Sequence, residues 1–220
     1  MNDFNIVFKI NNAEDIIIEL NEALENVHCC YNADTFYINN LYKTSIASDF
    51  IRYSLEILKG LLAKALKNKL KLHRSITNDI GYLYNEELQD KPGLFYKTSK
   101  EGRKFWVGES YSLWNSSLDS WIYNDERGNI IFEITPKYPW NYVEPKENEH
   151  YIPYEEWIKS YKPFLIRKIP IEVARQWLDQ ATSVLNKIEE NMARLTVEAR
   201  EREKKRKEQL ASSRDADEEK

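Results

Sequence analysis

Residues 120–136, Ser-Trp-Ile-Tyr-Asn-Asp-Glu-Arg-Gly-Asn-Ile-Ile-Phe-Glu-Ile-Thr-Pro, decide the fold class. Ser120-Trp121-Ile122-Tyr123 and residues 130–135 are rich in the β-branched and aromatic side chains that suit a pleated, half-buried surface. The five residues between them, Asp125-Glu126-Arg127-Gly128-Asn129, fit a hairpin loop in which Gly128 takes a positive φ. Pro136 and Pro139 end the second run, because proline has no N–H to give a ladder.

Working upstream, Phe105-Trp106-Val107 reads as another strand. Phe4, Ile6, Phe8 and Ile10 alternate with Asn5, Val7 and Lys9 as a first strand. Asn12, with Asp15 three residues on, resembles a helix start, and Ile16, Ile17, Leu20, Leu24 and Val27 then share one helical face. The rival reading makes residues 15–20 the return strand of a hairpin, since three consecutive isoleucines are β-prone; the spacing points to the helix. Phe50, Ile51, Leu55, Leu58, Leu61, Leu62, Ala65, Leu66 and Leu70 predict an amphipathic helix over about residues 48–72.

Downstream, residues 154–161 predict a short helix with Pro153 suited to its first turn. Phe164-Leu165-Ile166 adds a strand, and Pro170 opens the last helix. There Ile171, Ala174, Leu178, Ala181, Leu185, Ile188, Met192 and Leu195 alternate three- and four-residue steps, a seam that packs on another helix at about +20°. Its partner is the helix at 48–72 or a second subunit, a homodimer through Ile171, Leu178, Leu185 and Met192. The expectation is one α+β domain over residues 1–195, an antiparallel sheet against two long amphipathic helices. A protruding charged helix or tail occupies 196–220, fraying and disordered by Ser212. In the tail, pairs such as Glu201 with Lys205 each contribute about 0.3–0.5 kcal/mol, too little to hold a helix alone.

Thirty-two basic against 36 acidic side chains give the 220-residue chain a net charge of −4. The eight basic and eight acidic residues after Leu195 cancel, so residues 1–195 carry the imbalance. That argues against a dedicated nucleic-acid binder. Residues 1–5 lack the positive and apolar start of a secretory signal, and no apolar run approaches the roughly 20 residues that span a bilayer. Adjacent Cys29 and Cys30 rarely reach disulfide geometry, so both read as thiols of a reducing compartment. The chain is expected in the cytoplasm, away from membranes.

No cofactor is expected: none of the six glycines falls in a phosphate-cradling pattern, and neither GxSxG nor HExxH occurs. His28-Cys29-Cys30 lacks the two- to four-residue ligand spacing of structural zinc sites. Asp119, near the start of one expected strand, lies within approach of Glu133 across the hairpin, and the two define the one hydrolase or metal-dependent nuclease reading. Residues 59–74 hold six lysines and arginines and no acid, read as the solvated end of a helix whose dipole favours cations. Lys204-Lys205-Arg206-Lys207 is read as solvated tail.

The aromatic stretch from Trp140 to Trp157 carries the leading functional expectation. Trp140, Tyr142, Tyr154 and Trp157 are interleaved with Glu147, Glu149, Glu155 and Glu156; Tyr151 and Glu144 add to the set, and Lys146 is the one lysine among them. Such rings anchor interfaces, and the acid attracts a basic partner. The alternative is that they cover the sheet edge.

Trp121-Ile122-Tyr123-Asn124, the run from Gly128 to Pro136, Tyr161-Lys162-Pro163, Ile169-Pro170 and Trp177-Leu178 resemble small bacterial cytosolic proteins of the toxin-immunity type. The resemblance covers residues 114–180 and implies a stoichiometric inhibitor of a toxin, with no catalytic residues. The long charged extension departs from that pattern.

Overall fold

The computed structural model describes residues 4–141 and 143–218, with side chains as far as residue 207 and at Gln209. Strands β1 (Ile6–Lys9), β2 (Glu14–Glu19), β3 (Asn32–Asn39) and β4 (Lys43–Phe50) form an antiparallel sheet in chain order. The chain then runs directly into α1 (Ile51–Ala65) and on to α2 (Ile80–Leu88). A small ribbon, β5 (Tyr96–Thr98) with β6 (Lys104–Trp106), precedes a second antiparallel sheet. That sheet contains β7 (Ser112–Asn115), β8 (Leu118–Asn124), β9 (Ile130–Pro136) and β10 (Leu165–Ile169), in the order β10-β9-β8-β7. Between β9 and β10 lies the single turn of α3 (Tyr154–Trp157), and α4 (Ile171–Glu218) closes the chain. The fold is α+β with antiparallel sheets and one long C-terminal helix.

The 120–136 hairpin forms as read, with Asn124 opposite Ile130 and Gly128 at φ 81°. The helix expected from Asn12 onward is instead β2, which pairs with β1 so that Ile18 meets Ile6 and Ile16 meets Phe8. The reason is two-sided burial. Ile16 and Ile18 point into the core while Ile17 is buried on the opposite face, which a strand offers and a one-faced helix does not. Leu24 and Val27, which completed the apparent helical face, belong to a separate 3₁₀ turn and its cap.

The helix expected over 48–72 is also shorter. Residues 48–50 are held in β4, with Ser48 opposite Asp34 and Phe50 opposite Asn32. Beyond Ala65 the chain turns at Asn68, φ 52°, and Leu70 bonds to Asn124 at the end of β8. Helical apolar spacing continues through a region whose backbone hydrogen bonds go elsewhere.

One core spans both sheets, α1 and α4. At its centre the Trp177 ring of α4 meets Phe8 of the first sheet edge-on at 5.9 Å and Phe132 of the second at 6.1 Å. Its indole N–H donates to Lys9 O at 2.8 Å, so the ring buries its area without orphaning its polar atom. Ala174, Ala181, Leu185 and Ile188 are buried where α4 packs on α1 and the core. Each such leucine or isoleucine contributes about 1.5–3 kcal/mol. Leu178 and Met192 are half-buried and Ile171 is exposed.

Asn191 ends the packed part of α4, its amide N–H₂ donating to Leu24 O at 2.7 Å and Val27 O at 2.8 Å; Arg194 donates to Glu25 O at 2.6 Å. Past Leu195 the helix carries mostly exposed side chains and ion pairs such as Lys207 with Glu203 at 2.8 Å. Among the described residues, no helix is long and apolar enough to cross a membrane.

Candidate functional site

The aromatic stretch is positioned by α2. Asp79 caps that helix, its carboxylate accepting from Tyr82 N at 2.9 Å. One turn on, buried Asn85 fixes the chain leaving β9: its Oδ1 accepts from Tyr138 N at 2.7 Å and its Nδ2 donates to Pro136 O at 3.0 Å. Tyr138 is thereby set into the protein, with its hydroxyl donating to Ile152 O at 2.9 Å.

Around Tyr138 the other rings assemble. Tyr154 lies 5.3 Å away, Trp157 5.4 Å and Trp140 5.6 Å between centroids, and Trp140 in turn meets Tyr151 at 5.4 Å. Tyr154 is buried, and its hydroxyl donates to Glu86 at 2.9 Å. Burial first, and the Glu86 carboxylate second, push that phenol well above its ordinary range. The result is a rigid base of Tyr138 and Tyr154 carrying half-buried Trp140 and Trp157, with Tyr151 48 % and Val143 62 % exposed at its edge.

Glu144, Glu147, Glu149, Glu155 and Glu156 all reach solvent on this segment. Lys91 partly offsets them, 3.9 Å from Glu155 and 5.5 Å from the Tyr154 ring centroid. Trp140, Tyr154 and Trp157 thus share one ring cluster, with Glu155 beside it through Lys91. Glu147, Glu149 and Glu156 are exposed on the same stretch of chain, and Tyr142 lies outside the described residues. The members that sequence reading missed are Tyr138 at the centre of the cluster and Asn85, Glu86 and Lys91 beneath and beside it. Asp79 as a cap ahead of Ile80, Leu83 and Tyr84 was the available signal for α2.

Asp119 and Glu133 share one face of β8 and β9. Asp119 pairs with Thr135 and Glu133 with Trp121, so the two are diagonal neighbours, about 7–8 Å apart in such a ladder. Each is 1 % exposed. Burial raises Glu133 to about 8, with the Asp79 charge adding to the rise, while the Tyr123 hydroxyl, donating at 2.7 Å, works the other way. Burial raises Asp119 to about 7 against a smaller pull from Lys137. Both Asp119 oxygens lack a hydrogen-bond partner among the described residues. Carboxyls titrating near neutrality suit proton transfer. Neither, however, lines the roughly 700 Å³ groove bounded by Tyr53 of α1, Asp49 of β4, Trp114 of β7 and Tyr84 of α2.

Cys29 and Cys30 sit in a turn closed by Tyr31 N donating to His28 O at 3.0 Å, their sulfurs 3.4 Å apart. Among the described residues, no group of three histidines, cysteines or carboxylates is placed to hold a metal ion. No protein-family model, curated protein or solved structure is significantly similar to this chain.

Proposed function

We propose that the protein is a non-enzymatic binding module that docks a basic protein partner, a toxin domain of the kind immunity proteins neutralise, on the acidic aromatic surface of residues 140–157. The observation that carries this reading is the layering of that surface. Half-buried Trp140 and Trp157 rest on the fixed rings of Tyr138 and Tyr154, exposed Tyr151 packs on Trp140, and the same segment carries five exposed glutamates. Rings held this way lose little freedom on binding and so retain most of their contact energy. The glutamates steer a cationic partner and disfavour acidic ones.

The test is affinity capture from the native host with three baits: the natural chain, Glu155→Lys/Glu156→Lys, and Tyr151→Ala. A basic protein held by the first and lost, by about tenfold or more, on the other two supports docking here. Equal capture by all three baits removes the proposal.

A further inference from the structure

The basic run at residues 59–74 is divided by the fold. α1 stops at Ala65, and the segment beyond it is fastened to the end of β8 by Asn124. The Asn124 backbone N–H donates to Leu70 O at 3.0 Å, its Oδ1 accepts from Leu70 N at 3.1 Å, and its Nδ2 donates to Ala65 O at 3.0 Å. Tyr111 adds its hydroxyl to Lys71 O at 2.8 Å. With Leu70 buried by this lock, the alternation of an extended segment turns Lys69 and Lys71 to solvent.

Lys69 and Lys71 do not disperse. Together with Lys64 from α1, His73, Arg74 and Lys97 from β5 they line one cavity of about 580 Å³. No acidic side chain lines it. Among the described residues, none of its four lysines nor Arg74 takes part in a salt bridge. Some cations elsewhere do find a carboxylate, as Lys43 does with Glu19 and Arg52 with Glu56. Five unpaired like charges around one concavity repel each other, and an anion of matching charge relieves that repulsion.

We propose that this cavity binds a compact polyphosphate anion, two or more adjacent phosphate groups, either as inorganic polyphosphate or as the phosphate tail of a nucleotide. Its volume lies in the range of small-ligand sites. The remainder of the chain carries enough acid to leave a net charge of −4 despite this cluster, so a long polyanion meets repulsion beyond the cavity. The backbone beneath the cations is fixed while the lysine heads adapt, which suits phosphate oxygens held as point charges. The cavity shares no residue with the 140–157 surface, so this inference stands apart from the docking proposal.

Calorimetry of the full chain with tripolyphosphate, orthophosphate and ATP tests it. Tripolyphosphate is expected to bind at one site, more tightly than orthophosphate and more weakly as salt rises. Lys71→Glu and Arg74→Glu each weaken it by about tenfold or more, while Lys71→Arg and the distant Lys159→Glu do not. Equal affinity for ATP and tripolyphosphate assigns the phosphates alone as ligand; tighter ATP binding assigns a nucleotide, and both uphold the site. No saturable binding of tripolyphosphate by roughly 1 mM overturns it, as does binding that Lys71→Glu leaves intact while the variant melts like the natural chain. Tight capture of a single-stranded oligonucleotide that tripolyphosphate does not displace also overturns it.

Discussion

Glu14 of β2 and Arg167 of β10, 153 residues apart in sequence, clasp each other in a two-pronged pair that ties the first sheet to the second. The guanidinium Nε donates to Oε2 at 2.7 Å and Nη2 to Oε1 at 2.6 Å. The Tyr37 hydroxyl and the Asn11 amide also donate to this carboxylate. Arg167, through those hydrogen bonds, is the largest cause holding Glu14 down at about 2.

The pair sets an acid limit on stability. The folded pKa lies below the unfolded one, so its contribution is complete above about pH 4.5 and is lost as pH falls toward 2. Glu14→Gln is expected to cost about 1–2 kcal/mol at pH 7, discounted because Arg167 is partly exposed. The variant should also flatten the acid limb of stability between pH 4.5 and 2, read by urea titration at each pH. An acid limb as steep as the natural chain's would dissociate it from Glu14.

The buried carboxyls of β8 and β9 act in the opposite sense. Asp119 at about 7 and Glu133 at about 8 hold protons that the unfolded chain releases near pH 4, so folding stability falls as pH climbs from about 4 to 8. Asp119→Asn keeps the shape and removes the ionisation. It is expected to gain roughly 1–3 kcal/mol at pH 9 and much less at pH 4, measured by thermal melts across that range. A gain that does not change with pH would refute the ionisation argument.

Two glycines should answer the same substitution with opposite sign. A Cβ at Gly60, in the middle of α1, meets nothing within 4 Å, so Gly60→Ala gains up to about 1 kcal/mol from helix propensity. A Cβ at Gly81 in α2 collides with the Thr135 side chain and the Tyr161 hydroxyl. Gly81→Ala therefore loses about 1–3 kcal/mol despite the same propensity. Guanidinium denaturation of the pair decides, and a gain at both sites would show α2 to be free to shift on β9.

Asn191 is the third kind of control point. Its amide satisfies two carbonyls of the 24–27 segment, and removing it leaves them without that donor. Asn191→Ala is expected to cost about 1–3 kcal/mol and to speed proteolytic cutting in residues 20–30. Unchanged cutting there, with stability lost, would place the effect in the helix itself.

The sequence carries the hairpin at 120–136 and α4 plainly, because a hydrophobic period, a turn glycine and Pro170 agree there. At Ile16-Ile17-Ile18 the periods conflict. A run buried on both faces has no alternation, and Leu24 and Val27 supply false helical partners from beyond the bend that ends β2. The end of α1 is masked likewise, since Leu70 keeps helical spacing while its backbone bonds to Asn124, 54 positions away. The residues of the aromatic stretch are legible one by one. Its footing on Asn85 and Glu86 depends on contacts across 53 and 68 positions, which spacing cannot encode. The cation cavity is hidden for the same reason: Lys97 joins residues 64–74 through β5, whose neighbour Phe95 stacks on His73 at 4.6 Å.

The unpacked length of α4 has a hydrodynamic consequence. From residue 196 to 218 the helix rises about 35 Å, while Asn191 and Arg194 fix its root to the 24–27 turn. An arm rooted so firmly tumbles with the body, giving rotational diffusion that differs along and across the arm. The chain is then expected to sediment more slowly than a sphere of its 26.2 kDa mass.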